Sequence, residues 1–363
     1  MIPVAEPFLG ENELRYIIDC VNTGWISSKG KYVKKFEEEF ANYINSKYGV
    51  SCMNGTAALH LALEALGIRK GDEVIVPNCT YVSTANSVSY TGAKPVFVDS
   101  DIETWNIDPM KIEEKITERT KAIMPVHLYG HPCDMDAISD IANKYNLFVV
   151  EDAAEAHGAE YKEKKVGSIG DISCFSFFGN KIITTGEGGM CLTNNEELAN
   201  KMKILRNHGM NPNKQYWHDF KGFNYRMTNM QAAIGCAQLE QINKILEIKI
   251  NNARNYNFLL KDIRGITLPP NKEWAKNVYW MYSILINNDF KITRDGLIEK
   301  FKEKEIETRP FFYPVNKMPH HKDDEEHVIS KKLSRQGINL PSSPNLTKEQ
   351  IDTVVNVIYM ASL

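Results

Sequence analysis

At 363 residues the chain is too long for one small core, and calls for roughly two domains or one large α/β domain with an appendage. With 43% hydrophobic and 25% charged residues it has the composition of a globular enzyme. Its net charge of −3 gives no electrostatic case for nucleic acid or an anionic membrane.

No apolar run reaches the length of a bilayer span, and Met1-Ile2-Pro3-Val4-Ala5-Glu6 lacks the basic start and apolar core of a signal peptide. The cysteines, Cys20, Cys52, Cys79, Cys133, Cys174, Cys191 and Cys236, are scattered, odd in number and without C-x-x-C spacing. Free thiols in a reducing cytoplasm are expected, with no disulfide or zinc site.

In chain order, Asn54-Gly55-Thr56 opens a helix over residues 57–66 that stops at Gly67. Its free N–H groups and dipole suit a phosphate, although a plain capped helix is the commoner meaning of such a tripeptide. From about residue 71 to 191, apolar runs at 74–76, 95–99, 122–126 and 147–150 alternate with helical stretches such as 134–145. Unbroken apolar strands of this kind predict a mostly parallel sheet covered by helices on both faces. Ligands gather at the carboxyl ends of such strands, where Pro77, Asp99, His127 and Asp152 fall.

Tyr81, just past one strand end, is placed either to stack on a planar ring or to pack as an ordinary tyrosine. His127 and His131 have H-x-x-x-H spacing, but Gly130 and Pro132 argue against a helix. They and His157 are read as hydrogen-bonding histidines.

Residues 230–257 read as one long helix or two. A turn-rich stretch at 265–270 is followed by a strand at 278–286, an amphipathic helix at 293–304 and a closing helix at 346–359. This predicts a large domain over 1–245 and a smaller α+β domain over 246–363.

The chemistry centres on Lys181, in Ser176-Phe177-Phe178-Gly179-Asn180-Lys181 ahead of Thr184-Thr185-Gly186-Glu187-Gly188-Gly189. About thirty residues upstream, Leu147-Phe148-Val149-Val150 delivers Glu151-Asp152 at its end. A strand-end carboxylate followed by a lysine on a Ser/Gly-flanked turn is what a pyridoxal 5′-phosphate (PLP) enzyme needs. The lysine forms the Schiff base and the carboxylate keeps the pyridine nitrogen protonated. Taken singly, Lys181 reads equally as a solvated lysine, Asp152 as a helix cap and Glu155 as exposed helix surface. Taken in order, with Ser176 able to donate to the same phosphate and Glu155 within reach of the phenolic oxygen, they form a coherent set. Asn224-Tyr225-Arg226-Met227-Thr228-Asn229 either completes a pocket or starts a capped helix.

These segments, with Thr23-Gly24-Trp25-Ile26-Ser27-Ser28, Glu151-Asp152-Ala153-Ala154-Glu155-Ala156 and Tyr225 to Asn229, resemble the DegT/DnrJ/EryC1/StrS sugar aminotransferases over essentially the whole chain. That resemblance implies the type I, aspartate aminotransferase PLP fold. It implies that Lys181 carries the cofactor and shuttles protons, that Asp152 pairs with the pyridinium and that Glu155 bonds the ring hydroxyl. It also implies that Tyr81 stacks on the ring and that Gly55, Thr56 and Ser176 bind its phosphate. Asn224 would reach the phosphate of a neighbouring subunit, in a homodimer with shared sites. Ser28, Tyr216, His218, Arg309 and Tyr313 are implied for the sugar-nucleotide pocket.

Four further stretches, around His127 to Asp134, Gln215 to Asp219, Glu307 to Pro314 and Gly337 to Ser342, look most like the branch that aminates C4 of GDP-4-keto-6-deoxymannose. The implied amino donor is L-glutamate, leaving as 2-oxoglutarate, with pyridoxamine 5′-phosphate between the half-reactions. These stretches discriminate less than the Lys181 motif and leave open, as the alternative, an enzyme acting on a UDP- or dTDP-linked 4-keto-6-deoxyglucose, as in viosamine synthesis. Ile182 stands where threonine is expected, and His157 where an apolar residue is common. A dehydratase branch carries histidine at the lysine position, so Lys181 argues for transamination. A non-catalytic PLP-binding regulator is the more distant alternative, and a desulfurase would need a reactive loop cysteine that the chain lacks.

Overall fold

The computed structural model describes all 363 residues. The chain opens with helices α1 (Asn12–Asn22) and α2 (Lys31–Ile44), then enters strand β1 (Tyr48–Cys52) and helix α3 (Gly55–Leu66). Next come β2 (Glu73–Pro77), α4 (Ser83–Tyr90), β3 (Lys94–Val98), β4 (Thr120–Ile123), α5 (Met135–Tyr145) and β5 (Phe148–Asp152). A short hairpin, β6 (Glu160–Tyr161) and β7 (Lys164–Lys165), precedes β8 (Ile172–Ser176), β9 (Gly189–Thr193) and α6 (Glu196–Leu205).

Seven of these strands form one sheet in the order β1-β9-β8-β5-β4-β2-β3. It is parallel except for β9, which runs antiparallel to β1 and β8. Strands β2, β8 and β9 are buried along their whole length, as strands covered on both faces must be. Helix α3 packs on β8 and β9 from one side. It is held open by the Asn54 side chain, which accepts the Ala57 N–H at 2.8 Å, and closed by Gly67 at φ 82°.

Residues 230–257 resolve into two helices, α7 (Asn229–Glu240) and α8 (Ile242–Leu260), broken at Gln241. A Thr228/Gln231 capping box starts α7. The expected boundary at 245/246 lies inside α8. Ile245 and Leu246 pack in the core of the large sheet, while Ala253, Tyr256 and Leu260 pack in a separate core. That second core covers a four-stranded antiparallel sheet in the order β10-β12-β14-β13, with β10 Ile266–Thr267, β12 Tyr282–Ile286, β13 Arg309–Pro310 and β14 Gly337–Leu340. Strand β11 (Ala275–Lys276) joins the β6–β7 hairpin instead. Helices α9 (Arg294–Glu303), α10 (Val328–Gln336) and α11 (Lys348–Ser362) complete this part. The chain start belongs here too, since Ile2 bridges to Ile306 and the Val4 carbonyl accepts the Ser342 N–H.

One predicted strand is shorter than expected. Residues 278–281 lie outside β12, because Tyr279 is left-handed (φ 48°) and its N–H is taken by the Asn277 side chain. The Val278 N–H goes to the Gly130 carbonyl rather than to a sheet neighbour. This bend carries Trp280 toward the end of the large sheet. No helix is long and apolar enough to cross a membrane.

Candidate active site

The carboxyl ends of β1, β2, β5 and β8 and the turns after them surround a cavity of about 440 Å³. Gly55, Thr56, Tyr81, Asp152, Glu155, Ser176, Lys181 and Arg309 all line it. Their sequence spread is wide, but each follows a strand of one sheet or faces it from β13.

At one end of the cavity two helix N-termini converge. Thr56 Oγ1 on α3 lies 2.8 Å from Ser83 Oγ on α4. Gly55 approaches Ser176 so closely that a Cβ would sit 2.7 Å from the serine Cβ. Free helix N–H groups, three hydroxyls and no side chain at Gly55 make a small anion cradle.

Asp152 ends β5 and is buried. Its Oδ2 accepts the Thr84 hydroxyl at 2.8 Å and its Oδ1 the Ala154 N–H at 3.3 Å. Burial pushes its carboxyl above the ordinary value, against the pull of Thr84 and the nearby Lys181 charge. Glu155 is buried as well, and accepts the Tyr129 N–H at 2.7 Å. Burial drives it up to about 7, with Lys181 opposing.

Lys181 stands in a turn that folds back on itself. The Phe177 N–H donates to Gly188, the Thr185 N–H to Phe177, and the Lys181 N–H to Phe178. Phe177 anchors this turn in the core at 4.9 Å from Phe36 and 5.1 Å from Phe40, ring to ring. Burial lowers the affinity of the lysine amine for its proton, while Glu155 and Asp152 raise it. The amine lies 3.9 Å from the centroid of the Trp280 ring.

Behind the site, Glu151 points the other way from Asp152. It accepts the N–H groups of Gly167, Ile169 and Gly170 and bonds His127 Nε2 at 3.1 Å. His127 Nδ1 accepts the Cys133 N–H, so Nε2 carries the ring hydrogen and donates to Glu151. Burial alone would raise the Glu151 carboxyl; His127 and the backbone donors hold it below its usual value. His157 packs among Phe40, Phe175 and Phe177 with neither ring nitrogen hydrogen-bonded, and burial depresses it to about 3. Ile182 is buried in the same core.

The other expected residues lie outside this cavity. Ser28 lines a separate hollow of about 200 Å³ with Arg206 and Arg226. Asn224 is beside it, its side-chain carbonyl accepting from Arg226 at 2.9 Å. Tyr216 is 79% exposed, and His218 sits on the same loop bonded to the His208 carbonyl. Tyr313 faces a neighbouring hollow with Lys317, Lys331 and Arg335, one residue beyond Phe312.

Sequence reasoning missed Ser83, Thr84, Tyr129, Trp280 and Phe312, which also line the cavity or, for Ser83, bridge its two helices. Ser83 and Thr84 had a usable signal, a hydroxyl pair opening a helix just after Tyr81. Trp280 had none, since an aromatic at the head of an apolar run reads as strand.

The family model for the DegT/DnrJ/EryC1/StrS aminotransferase family matches residues 7–359. The chain is 50% identical to the GDP-perosamine synthase of Caulobacter vibrioides over 357 residues, covering 98% of this chain and 96% of that one. It is 51% identical to the GDP-perosamine synthase of Escherichia coli O157:H7 over 354 residues, covering 96% and 95%. Among solved structures, DesV from S. venezuelae in complex with a ketimine intermediate superposes with a TM-score of 0.91 at 34% identity, covering 97% of this chain and 94% of that one.

Proposed function

The chain belongs to the DegT/DnrJ/EryC1/StrS aminotransferase family, and on that premise we propose that it moves the amino group of L-glutamate to C4 of GDP-4-keto-6-deoxymannose, giving GDP-perosamine. It is a PLP-dependent transaminase. The observation that carries the reading is Lys181, half-buried beside two buried carboxylates on a cavity with an anion cradle at one end.

The residues present fit PLP. Asp152 is a buried carboxylate that needs a cationic N–H partner, and the missing side chain at Gly55 leaves room for a phosphate beside Ser176. Asp152 would hold the ring nitrogen, Tyr81 would cover a ring face, Glu155 would meet the ring hydroxyl, and Gly55, Thr56 and Ser176 would take the phosphate. When bound, PLP supplies an electron sink for the donor's Cα–H bond and carries the amino group between half-reactions as pyridoxamine 5′-phosphate.

This chain's own residues supply the rest. Lys181 Nζ is the cavity's amine, facing Asp152 and Glu155, so it takes the Cα proton and returns it. Its depressed proton affinity leaves it able to act as a base. Thr84 fixes the orientation of Asp152. Arg309 lines the cavity half-exposed; one of its guanidinium nitrogens bonds Glu307 at 3.3 Å, and its remaining N–H groups can meet an anionic substrate.

A homodimer is part of the proposal. Leu14, Ile18 and Val21 form an exposed apolar stripe on α1, continued by Trp25 and Ile26. This face borders the hollow of Ser28, Arg206 and Arg226, where Asn224 sits. Closing a second copy over it would bring these polar groups to that copy's phosphate. The seven cysteines are free and buried, which suits a reducing cytoplasm.

The test is a panel of GDP-, UDP- and dTDP-linked 4-keto-6-deoxyhexoses with L-glutamate, read by product mass. We expect turnover of GDP-4-keto-6-deoxymannose above all others. Preference for a UDP or dTDP sugar would overturn the nucleotide, and no amination of any would overturn the activity.

A further inference from the structure

We infer that Trp280 is a positioning residue for the proton transfer, holding the Lys181 amine in place whenever that lysine is not joined to the cofactor. The inference rests on the transaminase reading and adds a residue to it.

Three features support it. Lys181 Nζ lies over the indole face, 3.9 Å from its centroid. The indole N–H donates to the carbonyl of Asn180, the residue before the lysine, at 2.7 Å. The ring is almost wholly buried and stacks on Tyr129 (6.1 Å, 21°), whose N–H is held by Glu155. The indole is therefore fixed on both sides. Its backbone is fixed too, because Gly130 lies so close that a Cβ there would meet the Trp280 nitrogen at 2.9 Å.

A lysine that leaves a Schiff base becomes a free amine on four rotatable bonds. Proton transfer needs it to stay within reach of the reacting carbon. The negative face of an indole attracts an ammonium and does little for a neutral amine. Trp280 thus favours the protonated lysine, the state reached after the donor's Cα proton has been taken. The other groups facing the amine are the Asp152 and Glu155 carboxylates; Glu187 and Arg309 line the same cavity, and His157 lies behind it, uncharged. The carboxylates set the charge balance, and the ring sets where the ammonium rests.

The test uses the full chain loaded with pyridoxamine 5′-phosphate, in which Lys181 is free. Reductive methylation of Lys181 is followed against pH by mass spectrometry in wild type, Trp280→Phe and Trp280→Leu. We expect the midpoint to fall by about one pH unit in Trp280→Leu and by less in Trp280→Phe. The glutamate half-reaction should slow by roughly tenfold or more in Trp280→Leu, with a larger isotope effect from α-deuterated glutamate. Unchanged midpoints, or equal losses in both variants, would show that the ring only fills space and overturn the inference. If Trp280→Leu does not fold, the midpoint of Trp280→Phe decides: below wild type supports, equal to wild type overturns. Failure of the wild type to transaminate would count against the activity instead, since the lysine titration needs no turnover.

Discussion

Glu155 accepts the backbone N–H of Tyr129 at 2.7 Å, and Tyr129 holds a left-handed φ of 53°. That conformation costs a bulky residue about 1–3 kcal/mol, so something must hold it. Glu155 does so from within the cavity. Tyr129 in turn accepts the Phe312 N–H on its hydroxyl and stacks on the Phe312 ring at 5.5 Å. Phe312 lies 5.8 Å from Tyr81, ring to ring. One buried carboxyl thereby ties the floor of the site to the segment that the small sheet contributes.

This makes Glu155 the source of a pH effect in the cofactor-free protein. Burial raises its carboxyl from 4.5 to about 7, so between these values the unfolded chain has lost a proton that the native chain keeps. Stability then falls as pH rises through that window. Glu155→Gln keeps an acceptor for Tyr129 and removes the ionisation. We expect the variant to gain up to about 3 kcal/mol over wild type at pH 8, and little at pH 4.5. Urea midpoints at the two pH values measure this, and equal differences at both would refute it.

Lys181→Ala should fold about as well as wild type, because a half-buried amine disappears with the desolvation cost of its protonated form. Turnover should fall by roughly a thousandfold or more, as expected for loss of the proton carrier. Glutamate-dependent formation of 2-oxoglutarate is the measurement. Activity near wild type would mean that another group carries the proton.

Much of this site was legible in sequence because its chemistry sits at strand ends. A carboxylate after Val149-Val150 and a lysine four residues after a buried Phe175 to Phe177 stretch need only the strand to be placed for their direction to follow. Asn54-Gly55-Thr56 was legible for the same reason, as a helix start on the same edge. The rest depends on contacts that no local pattern records. Trp280 reaches Lys181 only because Tyr279 bends the chain out of β12. Strand β9 is as apolar as the parallel strands of the sheet, so its reversed direction left no trace in composition. Strand β4 ends at Ile123, earlier than expected. Beyond it the chain continues with single bonds, Met124 donating to Ile75 and Pro125 accepting from Asp152.

Glu151 shows how the turn behind the site is held. Its carboxylate is buried and satisfied by three backbone N–H groups and His127. Glu151→Ala removes the acceptor and strands those donors, so we expect a loss of about 3–5 kcal/mol. A drop in thermal midpoint of several degrees would be the readout. A variant as stable as wild type would show that the 167–170 turn is held by other contacts.

Lys249 makes the last test. It is buried in α8, donates to the Ser342 carbonyl at 2.6 Å and has no carboxylate partner within ion-pair distance. Burial depresses its amine from 10.5 to about 7. Between these values the unfolded chain holds a proton that the native chain has released, so stability rises with pH across the window and is lost as pH falls toward 7. Lys249→Met keeps the length and apolar stem, removes the titration and leaves one carbonyl without its donor. Replacing a buried charge by an apolar side chain of similar volume gains about 1–4 kcal/mol, and the lost hydrogen bond takes back about 1. We therefore expect Lys249→Met to be more stable than wild type at pH 7, with the advantage shrinking by pH 10. Denaturant midpoints at both pH values decide it. A destabilised variant at pH 7 would mean that the Ser342 bond, which fastens the end of β14 to α8, outweighs the cost of burying the amine.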